Sequence, residues 1–194
     1  MHPTKIRRMR IHQLNIQYLA DQDRVLARIS TAEGQEFRLW FTRRLTVGLL
    51  PALRKMVGEQ MEREALKEAG AGKDPAVRRA LSEFQKDQLM RRSDFKTPFK
   101  EPTVPVEDPL LVTEVQMNSL SDGNLQLKFK SPAPEAGKTR ELAIALNGQL
   151  MNGFMHLLEK AYTQSQWTLV QVDALEAETA VVAGPNAERP KYLN

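Results

Sequence analysis

Cysteine is absent from this 194-residue chain, which excludes disulfide frameworks, thiolate metal sites and cysteine nucleophiles. Histidine is scarce: His2, His12 and His156 are far apart and none sits in a metal-ligand spacing. A surface or packed role is the plain reading of each. No apolar run approaches the ~20 residues of a membrane-spanning helix. The leading residues Met1-His2-Pro3-Thr4-Lys5-Ile6-Arg7-Arg8 are basic but lack a following apolar stretch. No secretory signal is therefore read there, and a soluble cytoplasmic protein is expected. Glycine-rich phosphate loops, a nucleophile elbow and a His-Glu-x-x-His pair are also missing. Asp21 and Asp23 resemble paired catalytic carboxylates, but hairpin turns favour Asp for local reasons. The expectation is a non-enzyme with no metal and no cofactor.

What is present is ordinary in amount and uneven in place. Hydrophobic residues are 41% and charged residues 27% of the chain, enough to bury a real core. The formal net charge is +4, yet residues 1–57 hold eleven Lys/Arg against four Asp/Glu. That balance of +7 leaves −3 for the remainder. Such asymmetry points either to an anionic partner at one end or to a basic module docked on an acidic one.

The strongest pattern is an internal echo. Glu36, Leu45, Gly48, Leu53 and Lys55 recur as Glu141, Leu150, Gly153, Leu158 and Lys160, all at an offset of 105. In the first copy Leu14, Ile16 and Tyr18 alternate with Asn15 and Gln17, then Ala20-Asp21-Gln22-Asp23 makes a turn. Val25, Ala27 and Ile29 alternate next, Ala32-Glu33-Gly34-Gln35 turns again, and Phe37, Leu39 and Phe41 form a third alternating segment. Three period-two strands joined by short turns make an antiparallel meander. Thr42 then offers a helix N-cap before the apolar stripe Leu45, Leu49, Leu53 and Met56. Pro51 within that stripe predicts a kink or break.

The second copy repeats the order. Val115 and Met117 alternate, Ser121-Asp122-Gly123-Asn124 turns, and Leu125, Leu127 and Phe129 alternate with Gln126, Lys128 and Lys130. A longer Pro/Gly loop at 131–138 precedes the third strand, and Asn147 caps a helix with the stripe Leu150, Phe154, Leu157, Leu158 and Ala161. Gly48 and Gly153, each six residues past a cap, predict close helix packing. The fold expected is α+β: two tandem meander-plus-helix (βββα) repeats related by a pseudo-twofold, with an inserted helical hairpin.

By residue, the first repeat spans 11–57, the helical hairpin 58–94, a Pro-rich connector 95–110, the second repeat 111–172 and a mobile tail 173–194. Asp74-Pro75 starts the second hairpin helix, with Val77, Leu81, Phe84 and Leu89 as its stripe. In the connector, Phe95 and Phe99 are expected to anchor the strap to the body. Residues 167–172 read as one further strand.

With the apolar faces turned inward, Arg28, Arg38 and Trp40 face outward beside Asn15 and Gln17. Lys128 and Lys130, with Gln116 and Asn118, hold the corresponding face of the second copy. A sheet presenting cations, amides and an aromatic suits single-stranded nucleic acid: cations displace counterions from phosphate and the ring stacks a base. Arg43-Arg44 follow the helix cap, where the dipole disfavours cations, so they meet either an anion or nearby carboxylates. Lys5, Arg7, Arg8 and Arg10 form a basic arm. Against this reading, Ala143 and Ala145 replace Arg38 and Trp40 in the second copy and look like a packing contact.

The stretch Gln13-Leu14-Asn15-Ile16 through Gln22-Asp23-Arg24 to Glu36-Phe37-Arg38-Leu39-Trp40-Phe41-Thr42-Arg43-Arg44, with Ser93-Asp94-Phe95-Lys96-Thr97-Pro98-Phe99, resembles a largely proteobacterial family of unknown function. That resemblance covers most of the chain and implies no activity. Tandem meander-plus-helix units are also similar in architecture to the Whirly and Pur-alpha folds, which bind single-stranded nucleic acid; those have four strands per unit against three here.

Three functional readings follow. The first is a non-enzymatic nucleic-acid-binding protein, with Arg28, Arg38, Trp40, Arg43, Arg44, Lys128 and Lys130 contacting single-stranded DNA or RNA. The second is a protein-interaction or assembly factor using Trp40 and the strap phenylalanines. The third is a small-molecule sensor in the cleft between halves. Exposed strand edges also make a homodimer an expected partner state.

Overall fold

The computed structural model describes residues 9–69, 74–93, 98–100, 104–106, 108–135 and 137–167. Three strands open the chain: β1 (Ile11–Leu19), β2 (Arg24–Thr31) and β3 (Gln35–Thr42). They pair antiparallel in sequence order, with Ile16 opposite Ala27 and Ala27 opposite Leu39. The turns fall where Asp and Gly allow them. Gly34 has φ +78° and Asp23 φ +46°, left-handed conformations that a bulky or branched side chain resists.

Helix α1 (Arg43–Ala69) follows without a linker. Thr42 caps it, its Oγ1 accepting from the Leu45 N–H at 3.3 Å. The break expected at Pro51 does not occur, and α1 runs unbroken through it for 27 residues. Pro51 lies on the exposed side of the helix, where water can satisfy the carbonyl that its missing N–H leaves free. The first helix of the expected hairpin is thus the continuation of α1. Helix α2 (Pro75–Arg92) folds back beside it, with the Asp74 carboxylate accepting from the Ala76 N–H at 2.9 Å.

Beyond α2 the connector does more than span a distance. Two short strands, β4 (Val104–Pro105) and β5 (Leu110–Leu111), add in parallel to the open edge of β3 and give a five-stranded sheet. The chain then crosses to a second meander, β6 (Glu114–Ser119), β7 (Leu125–Pro132) and β8 (Thr139–Leu146), a three-stranded antiparallel sheet. Gly123, at φ +83°, closes its first turn. Helix α3 (Gly148–Ser165) is the last element described, capped by the Asn147 side-chain Oδ1 accepting from Leu150 N–H at 2.9 Å.

The protein is therefore α+β, with three helices and two sheets whose strand pairing is mainly antiparallel. Both sheets bury their apolar faces in one core. Val25, Ile29, Leu39 and Phe41 supply it from the first sheet, and Leu127, Phe129, Ile144 and Leu146 from the second. Phe129 bridges the layers, its ring centroid 5.8 Å from Phe41 and 6.5 Å from Phe154 of α3. Each such ring removes on the order of 150–250 Å² of surface from water, which makes the bridge a major contributor to cohesion.

Helices and sheets exchange partners: α3 lies along β1, and α1 stands beside β6. The close approach expected at Gly48 is not there, because Gly48 is exposed and nothing lies within 4 Å of where a Cβ would sit. Its counterpart Gly153 is buried on α3. Among the described residues, no helix is long and apolar enough to cross a membrane. The basic arm at 5–8, Phe95, the strand expected over 168–172 and the tail from 173 lie outside the described residues.

Candidate nucleic-acid interface

The register of the first meander fixes which side chains share its outer face. Asn15, Arg28 and Arg38 form one row across β1, β2 and β3. Gln17, Leu26 and Trp40 form the next row, and Gln13, Ser30 and Glu36 flank the first on its other side. The outward placement expected for Arg28, Arg38 and Trp40 holds in direction. What occupies that face is different from the expectation.

Glu36 is only 1% exposed, and two arginines close over it. Arg28 donates from Nε to Oε1 at 2.8 Å and from Nη2 to Oε2 at 3.1 Å; Arg38 donates from Nε to Oε1 at 2.7 Å. Burial pushes the Glu36 carboxyl up, but the hydrogen bonds and positive charge of Arg28 and Arg38 outweigh it and hold the pKa below the ordinary value. Both guanidinium groups are thereby engaged. Phe99 covers Arg28, with the guanidinium carbon 4.5 Å from the ring centroid. The backbone beside it is tied down: Lys100 N–H donates to the Gln13 side-chain oxygen at 3.0 Å, and Val106 N–H to the Glu36 carbonyl at 3.2 Å. The strap thus meets this face at Phe99 and Lys100, and the β3 edge at Val106.

The second sheet repeats the pattern. Lys128 Nζ lies 3.7 Å from Glu141, and Lys130 donates to Glu114 at 3.0 Å. Gln116 donates to the same Glu114 oxygen at 2.8 Å. Hydrogen bonds from Lys130, then Gln116, hold the Glu114 carboxyl below its ordinary pKa. Four of the seven candidate residues are therefore engaged by carboxylates.

Arg43 and Arg44 are not. They are the first two residues of α1, both exposed, and neither has a hydrogen bond or ion pair to a described residue. Arg24, the cross-strand partner of Thr42, joins them in the same condition. No acidic residue occupies the first turn of α1, so the helix dipole and these cations add rather than cancel. The adjacent carboxylate, Asp23, is occupied elsewhere: Trp167 Nε1 donates to its Oδ1 at 2.7 Å and Tyr18 Oη at 2.8 Å. Those two bonds, in that order, lower its pKa, and the charge of Arg43 lowers it further. Trp40, half-buried, sits one row from Arg24 on the same face, opposite Leu26.

The sequence reading missed Arg24 and the role of Glu36. The signal for both was the hairpin register, which sets Arg24 against Thr42 and groups Glu36 with Arg28 and Arg38. A second surface, an open groove of about 610 Å³, runs between α1 and the start of the second meander, lined by Leu45, Gly48, Leu49, Val115 and Met117 with Arg44 at its rim. No protein-family model, no curated protein and no solved structure matches this chain.

Proposed function

We propose that this is a non-enzymatic nucleic-acid-binding protein of the cytoplasm, and that its contact surface is the start of α1 rather than the centre of the sheet face. The observation that carries the reading is the group Arg24, Arg43 and Arg44 at the positive end of a helix, exposed and without a hydrogen bond or close ion pair to a described carboxylate, Arg43 reaching Asp23 only through its charge. Phosphates meeting these side chains would release counterions, and Trp40 offers a ring on which an unpaired base stacks, worth ~1–3 kcal/mol. Single strands are favoured because a base inside a duplex cannot reach that ring. Arg28, Arg38, Lys128 and Lys130 act in this reading as supports of the sheets.

The test is fluorescence anisotropy with labelled single-stranded DNA and RNA over a salt series. Binding that weakens with salt, and a salt slope reduced by about 0.7 for each arginine of the group replaced by Ala, is expected. Salt-insensitive binding, or none at low ionic strength, removes the proposal.

A second reading, a protein-interaction or assembly factor, is favoured by α2, which leaves Phe84 60% and Val77 44% exposed two turns apart on one side. A pull-down that recovers one stoichiometric protein after nuclease treatment, and loses it with Phe84→Ala, would favour this alternative.

We further propose that the two meander-helix units descend from one duplicated half and pack about a pseudo-twofold, as the echo at an offset of 105 residues implies. Three observations support it. Glu36 pairs with Arg28 on one sheet while Glu141 pairs with Lys128 on the other. Each terminal helix lies against the first strand of the other unit. Arg54 donates to Glu159 at 2.7 Å, and the two positions are 105 apart, as matched residues close to a pseudo-twofold axis would be. Superposition of 11–57 on 111–162 with a shared strand order is the check.

A further inference from the structure

We infer that two copies of this chain associate by pairing their β8 strands antiparallel, joining the second sheets into one six-stranded sheet. The inference is independent of the nucleic-acid reading and starts from how the strand edges are covered. In the first sheet, α3 lies along β1, and the outer edge of β3 takes up β4 and β5 together with hydrogen bonds from Val106 N–H to Glu36 and from Val112 N–H to Trp40. In the second sheet, β6 has α1 beside it, and β8 touches α3, the helix that follows it in the chain. The β8 strand holds the corresponding end position, pairs with β7 alone, and among the described residues no hydrogen bond reaches the backbone groups on its other side. An edge of eight residues with unmatched N–H and C=O groups is a template for another strand.

Its composition lacks the devices that keep such edges apart. Leu142-Ala143-Ile144-Ala145-Leu146 contains no charge and no proline. Leu142, Ile144 and Leu146 point into the core, so the strand is held flat and in register. Ala143 and Ala145, on the outward side, are too small to obstruct a neighbour.

The charges select the occupant. Both charged residues, Arg140 and Glu141, lie at the start of β8. Antiparallel pairing about a twofold at Ala143 sets Glu141 opposite Ala145 of the second copy. The two Glu141 carboxylates then stand four residues apart along the strand, about 14 Å, and no like charges face each other. A parallel arrangement would stack Glu141 on Glu141. A self-complementary strand of this kind matches the isologous geometry of a twofold dimer.

The test is the molar mass of the full chain in solution, by light scattering or sedimentation at tens of micromolar, for wild type, Ala143→Glu and Ala143→Lys. Wild type is expected at twice the chain mass. Ala143→Glu places a carboxylate beside its cross-strand neighbour Lys128, which the single chain tolerates, but sets two carboxylates against each other at the axis. It should be monomeric with an unchanged thermal melt, and an equimolar mixture with Ala143→Lys should recover the dimer. If Ala143→Glu melts early, Ala145→Glu carries the same test one outward residue further along. A monomeric wild type would overturn the inference and leave the edge to the residues after Trp167 or to another protein. A dimer indifferent to both glutamate substitutions would overturn it as well.

Discussion

The centre of the first sheet's outer face and the start of α1 carry the same chemical groups in opposite circumstances. At the centre, Arg28 and Arg38 converge on a carboxylate that is 1% exposed, and Phe99 closes over one of them. At the helix start, Arg24, Arg43 and Arg44 stand in solvent with no hydrogen bond or close ion pair to a described residue, only the charge of Arg43 reaching Asp23, and with the dipole against them. The difference teaches that a cation's availability is set by its neighbours across strands, not by its place in a charge count. A buried carboxylate turns arginines into struts, whereas a helix start without acids leaves them to attract an anion.

The comparison breaks most sharply at Glu36. Glu36→Gln leaves two guanidinium groups uncompensated over a covered site, and stability should fall by about 3 kcal/mol in urea titration. Replacing Arg43 and Arg44 together by Ala should do the reverse: thermal stability unchanged or higher by about 0.3–1 kcal/mol as the helix end is relieved, while the salt slope of nucleic-acid binding falls by about 1.4. Lys128→Ala with Lys130→Ala should leave that slope near wild type. If the lysine pair lowers it as much as the arginine pair does, the distinction between engaged and free cations is wrong.

Acid offers a second way to separate the regions. Glu36 has a folded pKa held below its free value of 4.5, and Glu114 and Asp23 are depressed too. For a depressed carboxylate the unfolded state binds the proton first, so its contribution is full above the unfolded pKa and is lost as pH falls through the folded one. Melting temperature should therefore drop from about pH 4.5 downward, and Glu36→Gln should flatten that drop. The smallest expected effect is at the strap. Phe99→Ala removes a cation–π contact and should cost about 0.5–1 kcal/mol, with Arg28 becoming more exposed but still held by Glu36.

Local signals were the legible part. Thr42, Asp74 and Asn147 each announced a helix start that the backbone N–H groups at 45, 76 and 150 bear out. Gly34 and Gly123 marked turns that need positive φ, and the alternating apolar residues gave all six meander strands. What depended on distant partners was not legible. Pro51 signalled a kink or break because its own cost is local, while Leu50 and Leu53 on either side, both fully buried, anchor a helix that continues through it. The parallel additions β4 and β5 carry no period of their own, being two residues each; only the β3 edge defines them. At the site, the outward direction of Arg28, Arg38 and Trp40 followed from alternation. Their engagement did not, since it required knowing that Glu36 and the strap arrive at the same place.

The bond between Arg54 and Glu159 carries one last consequence for the proposed duplication. In a homodimer of identical halves, a position beside the symmetry axis confronts its own duplicate, so a charged residue there can only repel. Fusion into a single polypeptide lifts that prohibition, because each half can then mutate alone. Under the proposed duplication, the attractive Arg54–Glu159 contact is a bond that a symmetric ancestor could not have made, and it would postdate the fusion into one chain.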